Sequence, residues 1–285
     1  MKIVAESSSL FTSEEAKKFG IEVLPLKVAI GDETWSEGVE ISTDDFLRKI
    51  AEGGMPTSSC PAPADVIRAY ECDEEILHLS MADGLSGTYE VASSLAAQAE
   101  DPDRVTVVNT TTLCGPLRTI VALAVQLNKE NKSKAEILDA LKPLMESSFS
   151  YLIPADFDFL KRGGRLTPMA AKFVSVLKVV PVMVQTLDGR RLERGTIGRN
   201  FASAIKKIIS DMKKRSVDAK SLVTISHAQD DGKAHVIADM IRCAFPEIRI
   251  EIFELTPSFI VQGGPGCIAI QTVDIAGYPN LAIAK

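Results

Sequence analysis

Residues 75–89 read Glu75-Ile76-Leu77-His78-Leu79-Ser80-Met81-Ala82-Asp83-Gly84-Leu85-Ser86-Gly87-Thr88-Tyr89. A short apolar run is followed by a glycine-containing turn, and helical periodicity then continues to Ala99. This is the strand, turn and helix unit of a parallel sheet. Working outward, the same rhythm recurs. Strands are predicted at 2–5, 21–30 and 104–108, and helices at 43–52, 62–70, 115–127 and 134–146. Such alternation gives an α/β fold with a parallel sheet and helices on both faces. We place this α/β/α N-terminal domain at residues 1–147.

The second half changes rhythm. A strand at 148–153 precedes a helix ending near Lys161. Two apolar runs, 176–185 and 190–197, flank Leu187-Asp188-Gly189, and Asp-Gly between such runs signals a hairpin. Helices at 199–214 and 232–244 and strands at 222–226, 248–255 and 267–273 complete a mixed-sheet α/β C-terminal domain, residues 148–285. The expected place for a ligand is the cleft between the two domains.

Composition limits the function. The 285 residues are 46% hydrophobic and carry a net charge of −6, with a pI near 5.3. No basic face for nucleic acid is expected. Cys60, Cys72, Cys114, Cys243 and Cys267 are scattered and odd in number. They form neither a disulfide framework nor a metal site, and free thiols in a reducing compartment are expected. The apolar opening, residues 1–5, is too short for a signal peptide. The longest apolar stretch, 173–184, is broken by Lys178 and Pro181 and is too short to span a bilayer. A soluble cytoplasmic protein without an integral membrane segment is therefore expected.

Four segments are rich in glycine, proline and hydroxyls: Ala5-Glu6-Ser7-Ser8-Ser9, Met55 to Pro61, Asp83 to Tyr89, and Gln262 to Gly266. In open α/β sheets ligands sit outside the carboxyl ends of strands, where the first and third segments fall. A helix opening at Ser86 would offer backbone N–H groups to an anion. Ser86 and Thr57 could add hydroxyls, but each is equally well read as a cap or a loop residue.

Taken together, Pro56-Thr57-Ser58-Ser59-Cys60-Pro61, Leu85-Ser86-Gly87-Thr88-Tyr89, Phe159 to Leu166 (with Lys161-Arg162-Gly163-Gly164-Arg165) and Gly264-Pro265-Gly266 resemble the DegV family of fatty-acid-binding proteins. The resemblance runs from end to end of the chain. It implies a two-domain α/β fold that binds a long-chain fatty acid, with the acyl chain in an apolar tunnel and the carboxylate at the inter-domain face. It implies no catalysis and no cofactor or metal. By resemblance the carboxylate is held by Thr57 and Ser86, with Gly87 and Gln262 beside them. The family also implies a fatty acid kinase as partner, which phosphorylates the presented acid for phospholipid synthesis. Arg162, Arg165 and Arg199 are the candidate docking residues for it.

Three departures stand out. Glu6-Ser7 replaces an Asp-Ser pair, Cys60 replaces a common Gln, and Gln262 replaces a frequent His. Gln can donate a hydrogen bond but cannot become a cation, so the grip on the acid is expected to be neutral there.

A fatty acid suits the arithmetic. Burying about fifteen acyl carbons at roughly 0.8 kcal/mol each gains on the order of 12 kcal/mol before ordering costs. The run at 173–183 could line the tunnel, although ordinary core packing accounts for most of it. Two other readings compete. A serine hydrolase would need a base for Ser86 from among His78, His227 and His235, and Gly84-Leu85-Ser86-Gly87 falls one residue short of a nucleophile elbow. The other is an interaction module with a vestigial pocket.

Overall fold

The computed structural model describes residues 1–172 and 179–283. The predicted α/β architecture is present, with one parallel and one mixed sheet. Strand β1 (Lys2–Glu6) lies between β2 (Ile21–Leu24) and β6 (Ile76–Ser80), and β7 (Val105–Asn109) follows β6, all parallel. The second sheet contains β8 (Phe149–Ile153), β9 (Val180–Gln185), β10 (Leu192–Gly198), β11 (Ser221–His227), β12 (Arg249–Glu254) and β13 (Ile268–Asp274). Its order is β10-β9-β8-β13-β11-β12, and only β11 and β12 pair in parallel. The part of the expected tunnel-lining run at 173–178 lies outside the described residues. Val182 and Met183 are buried in the core.

Two expectations are corrected. Residues 21–30 do not form one strand, because Pro25 has no N–H to extend a ladder. The chain leaves the first sheet there and forms β3 (Lys27–Ile30) in a separate antiparallel sheet with β4 (Glu33–Ser36) and β5 (Pro56–Ser59). The hydroxyl-rich segment read as a loop is therefore a strand, its backbone paired with β3.

Eleven helices pack on these sheets among the described residues: α1 (Ser13–Phe19), α2 (Thr43–Ala51), α3 (Pro63–Tyr70), α4 (Thr88–Ala96), α5 (Cys114–Lys129), α6 (Lys134–Ser147), α7 (Phe157–Gly163), α8 (Pro168–Ala171), α9 (Phe201–Lys214), α10 (Asp231–Ala244) and α11 (Pro257–Gly263). Helices α3 and α4 cover one face of the first sheet, where Val66, Tyr70 and Ala96 meet Val4 and Ile76. Helix α5 is buried almost all round. Its Leu117, Ile120 and Leu123 share one core with Leu77 and Leu79 of the first sheet and Leu222 and Val273 of the second. Each such side chain contributes about 1.5–3 kcal/mol by burial. Helices α9 and α10 cover the outer face of the second sheet through Ile205, Ile208, Ile237 and Ile241. The order is helices, sheet, helices, sheet, helices, with α5 common to both sheets.

Candidate functional site

Behind α5, a cavity of about 130 Å³ opens between elements from both halves of the chain. Its apolar wall includes Leu26, Met81, Leu85, Leu113, Leu152 and Phe259. Cys114 and Cys267 also face it. Burial raises the Cys114 thiol well above the ordinary range and pushes Cys267 up to about 12, so both behave as small neutral packing groups.

The polar groups fall into two sets. Gln271, Ser150, Tyr151 and Ser258 line the cavity but are engaged within the protein. Gln271 accepts from the Gly115 N–H at 3.2 Å and donates to Ser150 Oγ at 2.8 Å. Tyr151 donates to Asp211 at 2.7 Å. Ser258 donates to Glu37 through N–H at 2.6 Å and Oγ at 3.0 Å.

The second set forms a ring at the other end. Gln262 on α11 donates from Nε2 to Ser58 Oγ at 3.4 Å. Its Oε1 is buried without a hydrogen-bond partner among the described residues. That oxygen lies over Gly163, where a Cβ would collide with it. Gly164 follows in the left-handed region, at φ 71°, and ends α7. The turn brings Arg165 back so that its Nη1 donates to the Gly163 carbonyl, and its Nε donates to the Leu85 carbonyl at 3.1 Å. Ser86 and Gly87 come next. Ser86 Oγ sits 2.7 Å from Thr88 Oγ1 and accepts from the Thr88 N–H at 3.3 Å. Gly87, not Ser86, is the N-cap of α4. Where Gly87 lacks a Cβ, the Cys60 thiol would stand 3.6 Å away, which brings the ring back beside Ser58.

Ser86, Gly87, Gln262 and Arg165 are thus brought together on the cavity. Thr57 is not. It is exposed, while Ser58 and Ser59 line the cavity. On β5, Ser58 pairs with the fully buried Val28, while Thr57 pairs with Ala29. Arg165, expected on a docking surface, is half-buried in the cavity wall. Arg162 is exposed and stacks 4.6 Å from the Phe159 ring. Arg199 is exposed just before α9.

The other hydroxyl-rich segment, after β1, is buried structure and does not line the cavity. Glu6 accepts from the Met81 N–H at 3.1 Å and lies 3.0 Å from His78 Nε2, while His78 Nδ1 meets Tyr70 OH at 2.7 Å. His227 is engaged by the Asp230 N–H at 3.2 Å and lies 3.6 Å from Asp231. His235 is exposed on α10. Among the described residues no histidine lines the cavity, and no cluster of residues suited to a metal ion is present.

Two sheets sharing a central helix, with a cavity lined by apolar and polar side chains, define an α/β fold with an internal pocket. Residues 1–274 match the model described as "Uncharacterised protein, DegV family", and the chain belongs to the DegV family. It is 28% identical over 277 residues to a DegV domain-containing protein of Halalkalibacterium halodurans, covering 94% of this chain and 96% of that one. A solved DegV family protein from Thermus thermophilus, described for its fatty acid binding, is 28% identical, with a TM-score of 0.85 over 96% of this chain and 99% of that one. A DegV family protein from Ruminococcus gnavus, refined with vaccenic acid, shares the fold at 23% identity and a TM-score of 0.85, over 95% and 98% of the two chains. No described helix is long and apolar enough to cross a membrane.

Proposed function

We propose that this chain binds a long-chain fatty acid without transforming it, its carboxylate at the ring and its acyl chain along the apolar wall. The observation that carries this reading is the division of polar groups within one cavity. One set is satisfied internally, and the other keeps free hydrogen-bonding capacity. The fatty acid binding described for the Thermus thermophilus relative supports the same reading. In the proposed cradle, Ser58 takes the place expected of Thr57, and Ser86, Gly87 and Gln262 complete it. Exchanging the two ends of the Gln262 amide lets Ser58 donate to Oε1 and frees N–H groups for a headgroup.

Residues 1–147 and 148–285 act in this reading as two domains with the ligand between them. The bound acid is presented in the cytoplasm to a fatty acid kinase, feeding phospholipid synthesis, with Arg162 and Arg199 as exposed docking groups. A hydrolase reading finds little support, because Ser86 Oγ contacts Thr88 and no described cavity residue is a base suited to activate it.

The test is to purify the protein natively, extract it with organic solvent and identify the released lipid by mass spectrometry. A protein that carries no acyl lipid, and takes up none from a fatty-acid mixture, sinks the proposal. Replacing Ser58 and Ser86 together by Ala is expected to weaken fatty acid binding by about 1–3 kcal/mol, read by titration calorimetry. Unchanged affinity would put the carboxylate elsewhere.

A further inference from the structure

We infer that Ser150 and Gln271 form a second polar contact inside the cavity, placed to receive a hydroxyl group borne on the acyl chain, so that the preferred ligand is a chain-hydroxylated long-chain fatty acid. The inference rests on the fatty acid reading and names the class of acid.

The pair lies away from the ring. Ser150 and Leu152 are both on β8 and both line the cavity. Leu152 reaches toward Gly263, beside Gln262, where its Cδ1 would stand 3.7 Å from an added Cβ. Ser150 comes two residues earlier, about 7 Å back along the strand at the usual rise. Gln271 is its register partner on β13 and also lines the cavity. Ser150 is 7% exposed and Gln271 is 1% exposed, so both are closed off from bulk water.

Gln271 is held on three sides. Its Oε1 accepts from the Gly115 N–H at 3.2 Å, and its Nε2 donates to the Leu113 carbonyl at 3.1 Å and to Ser150 Oγ at 2.8 Å. These bonds use both amide protons and leave Oε1 one lone pair. Ser150 Oγ is engaged as an acceptor, and its own proton has no acceptor among the described residues. Pinning α5 to the second sheet accounts for the bonds from Gln271 to Gly115 and Leu113. It does not require the serine, because an alanine there would leave both bonds in place.

A hydrocarbon chain would cover this proton and this lone pair and satisfy neither, and a buried polar group left unpaired is costly. A hydroxyl on the chain is donor and acceptor at once. It can accept from Ser150 and donate to Gln271 Oε1. The rest of the wall, with Leu26, Met81, Leu113 and Phe259, is apolar. It would penalise a hydroxyl placed elsewhere along the chain. The preference is therefore one of position as well as of chemistry.

The experiment measures displacement of a fluorescent acyl probe by stearate and by hydroxystearates carrying the hydroxyl at successive mid-chain carbons. It uses wild type, Ser150→Ala and the double variant Ser150→Ala with Gln271→Leu, and thermal melts check the fold. One positional isomer is expected to bind wild type about threefold to tenfold more tightly than stearate. That ratio should fall in Ser150→Ala, where a freed Gln271 N–H can still donate to the ligand. It should vanish or reverse in the double variant, and Ser150→Ala alone decides if the double variant does not fold. Wild type that prefers no isomer over stearate, or a preference undiminished in Ser150→Ala, overturns the inference and leaves the fatty acid reading standing. Wild type that takes up neither stearate nor any hydroxystearate overturns the fatty acid reading itself, and this inference with it.

Discussion

Glu6 and Glu37 are both buried acidic side chains, and they have different partners. Glu6 meets the His78 ring, the Met81 N–H and Ser8. Glu37 accepts from Ser7 Oγ at 2.6 Å and from Ser258, and it has no cation among these partners. Burial raises the Glu37 carboxyl above the ordinary range, although hydrogen bonds from Ser7 and Ser258 oppose the shift. A raised folded-state pKa means that the folded protein holds the proton more tightly than the unfolded chain. The associated stability is complete below the unfolded pKa and is lost as pH rises through the folded value. Glu37→Gln removes the titration and keeps the size. Urea unfolding of both proteins from about pH 4.5 to 8 should therefore show wild type losing stability relative to the variant as pH rises. A gap independent of pH would contradict this account.

The same scale shows what single residues disclose. Glu6 is visible in the sequence as a departure from the family Asp, and His78 reads correctly as structural within an apolar strand. Their union with Tyr70 depends on how α3 packs on the first sheet, which no local pattern encodes. The choice between Thr57 and Ser58 has the same origin. Both are small hydroxyl residues, and only the tertiary packing around β5 leaves Ser58 in the cavity wall and Thr57 exposed.

At the scale of elements, the long periodic segments were legible. The hairpin around Asp188-Gly189 joins β9 to β10 as antiparallel neighbours. Several short elements were not. Strand β5 has too few apolar side chains to show a period. Helix α11 carries Gln262 and ends at Gly263, and the sequence discloses only the glycine-rich segment 262–266 at its C-terminal end. Helix α1 has a clear start in Thr12 and Glu15, a reciprocal capping box, but its brevity hid it. The turn after α7 links this scale to the site. Gly163 leaves room for the Gln262 side chain, and an added methyl there meets Oε1. Gly163→Ala should displace Gln262 and lower fatty acid affinity by about 1–2 kcal/mol, with little change in the melting temperature. Titration calorimetry beside a thermal melt checks this, and an unaltered affinity would show that Gln262 is dispensable to the ring.

Across the whole molecule, the alternation of strands and helices revealed two sheets. It did not reveal that α5 belongs to both, because a helix apolar on all sides looks the same whichever sheets it meets. A single residue of α5 holds distant parts together. Arg118 is fully buried and donates to the carbonyls of Ile283 and Leu10, each at 2.5 Å, and to the Glu15 carboxylate. The rings of Phe11 and Phe253 lie 4.0 and 4.6 Å from its guanidinium. These contacts tie α1, β12 and the last described residues to the central helix. Arg118→Ala would leave two carbonyls without their donor and Glu15 without its cation, a loss of about 3–5 kcal/mol. Chemical denaturation reads it, and a loss below about 1 kcal/mol would mean that the arginine is no clamp.

The ring at the cavity draws on residues 58, 86–87, 163–165 and 262, four stretches spread over some two hundred positions of chain. In the proposed reading, affinity for a headgroup is therefore a property of the assembled tertiary structure. Folding and occupancy are therefore thermodynamically linked. A ligand at a hundred times its dissociation constant adds about 2.7 kcal/mol to the stability of the native state. Segments of β5, the start of α4, the turn after α7 and α11 are then held together as a crosslink would hold them.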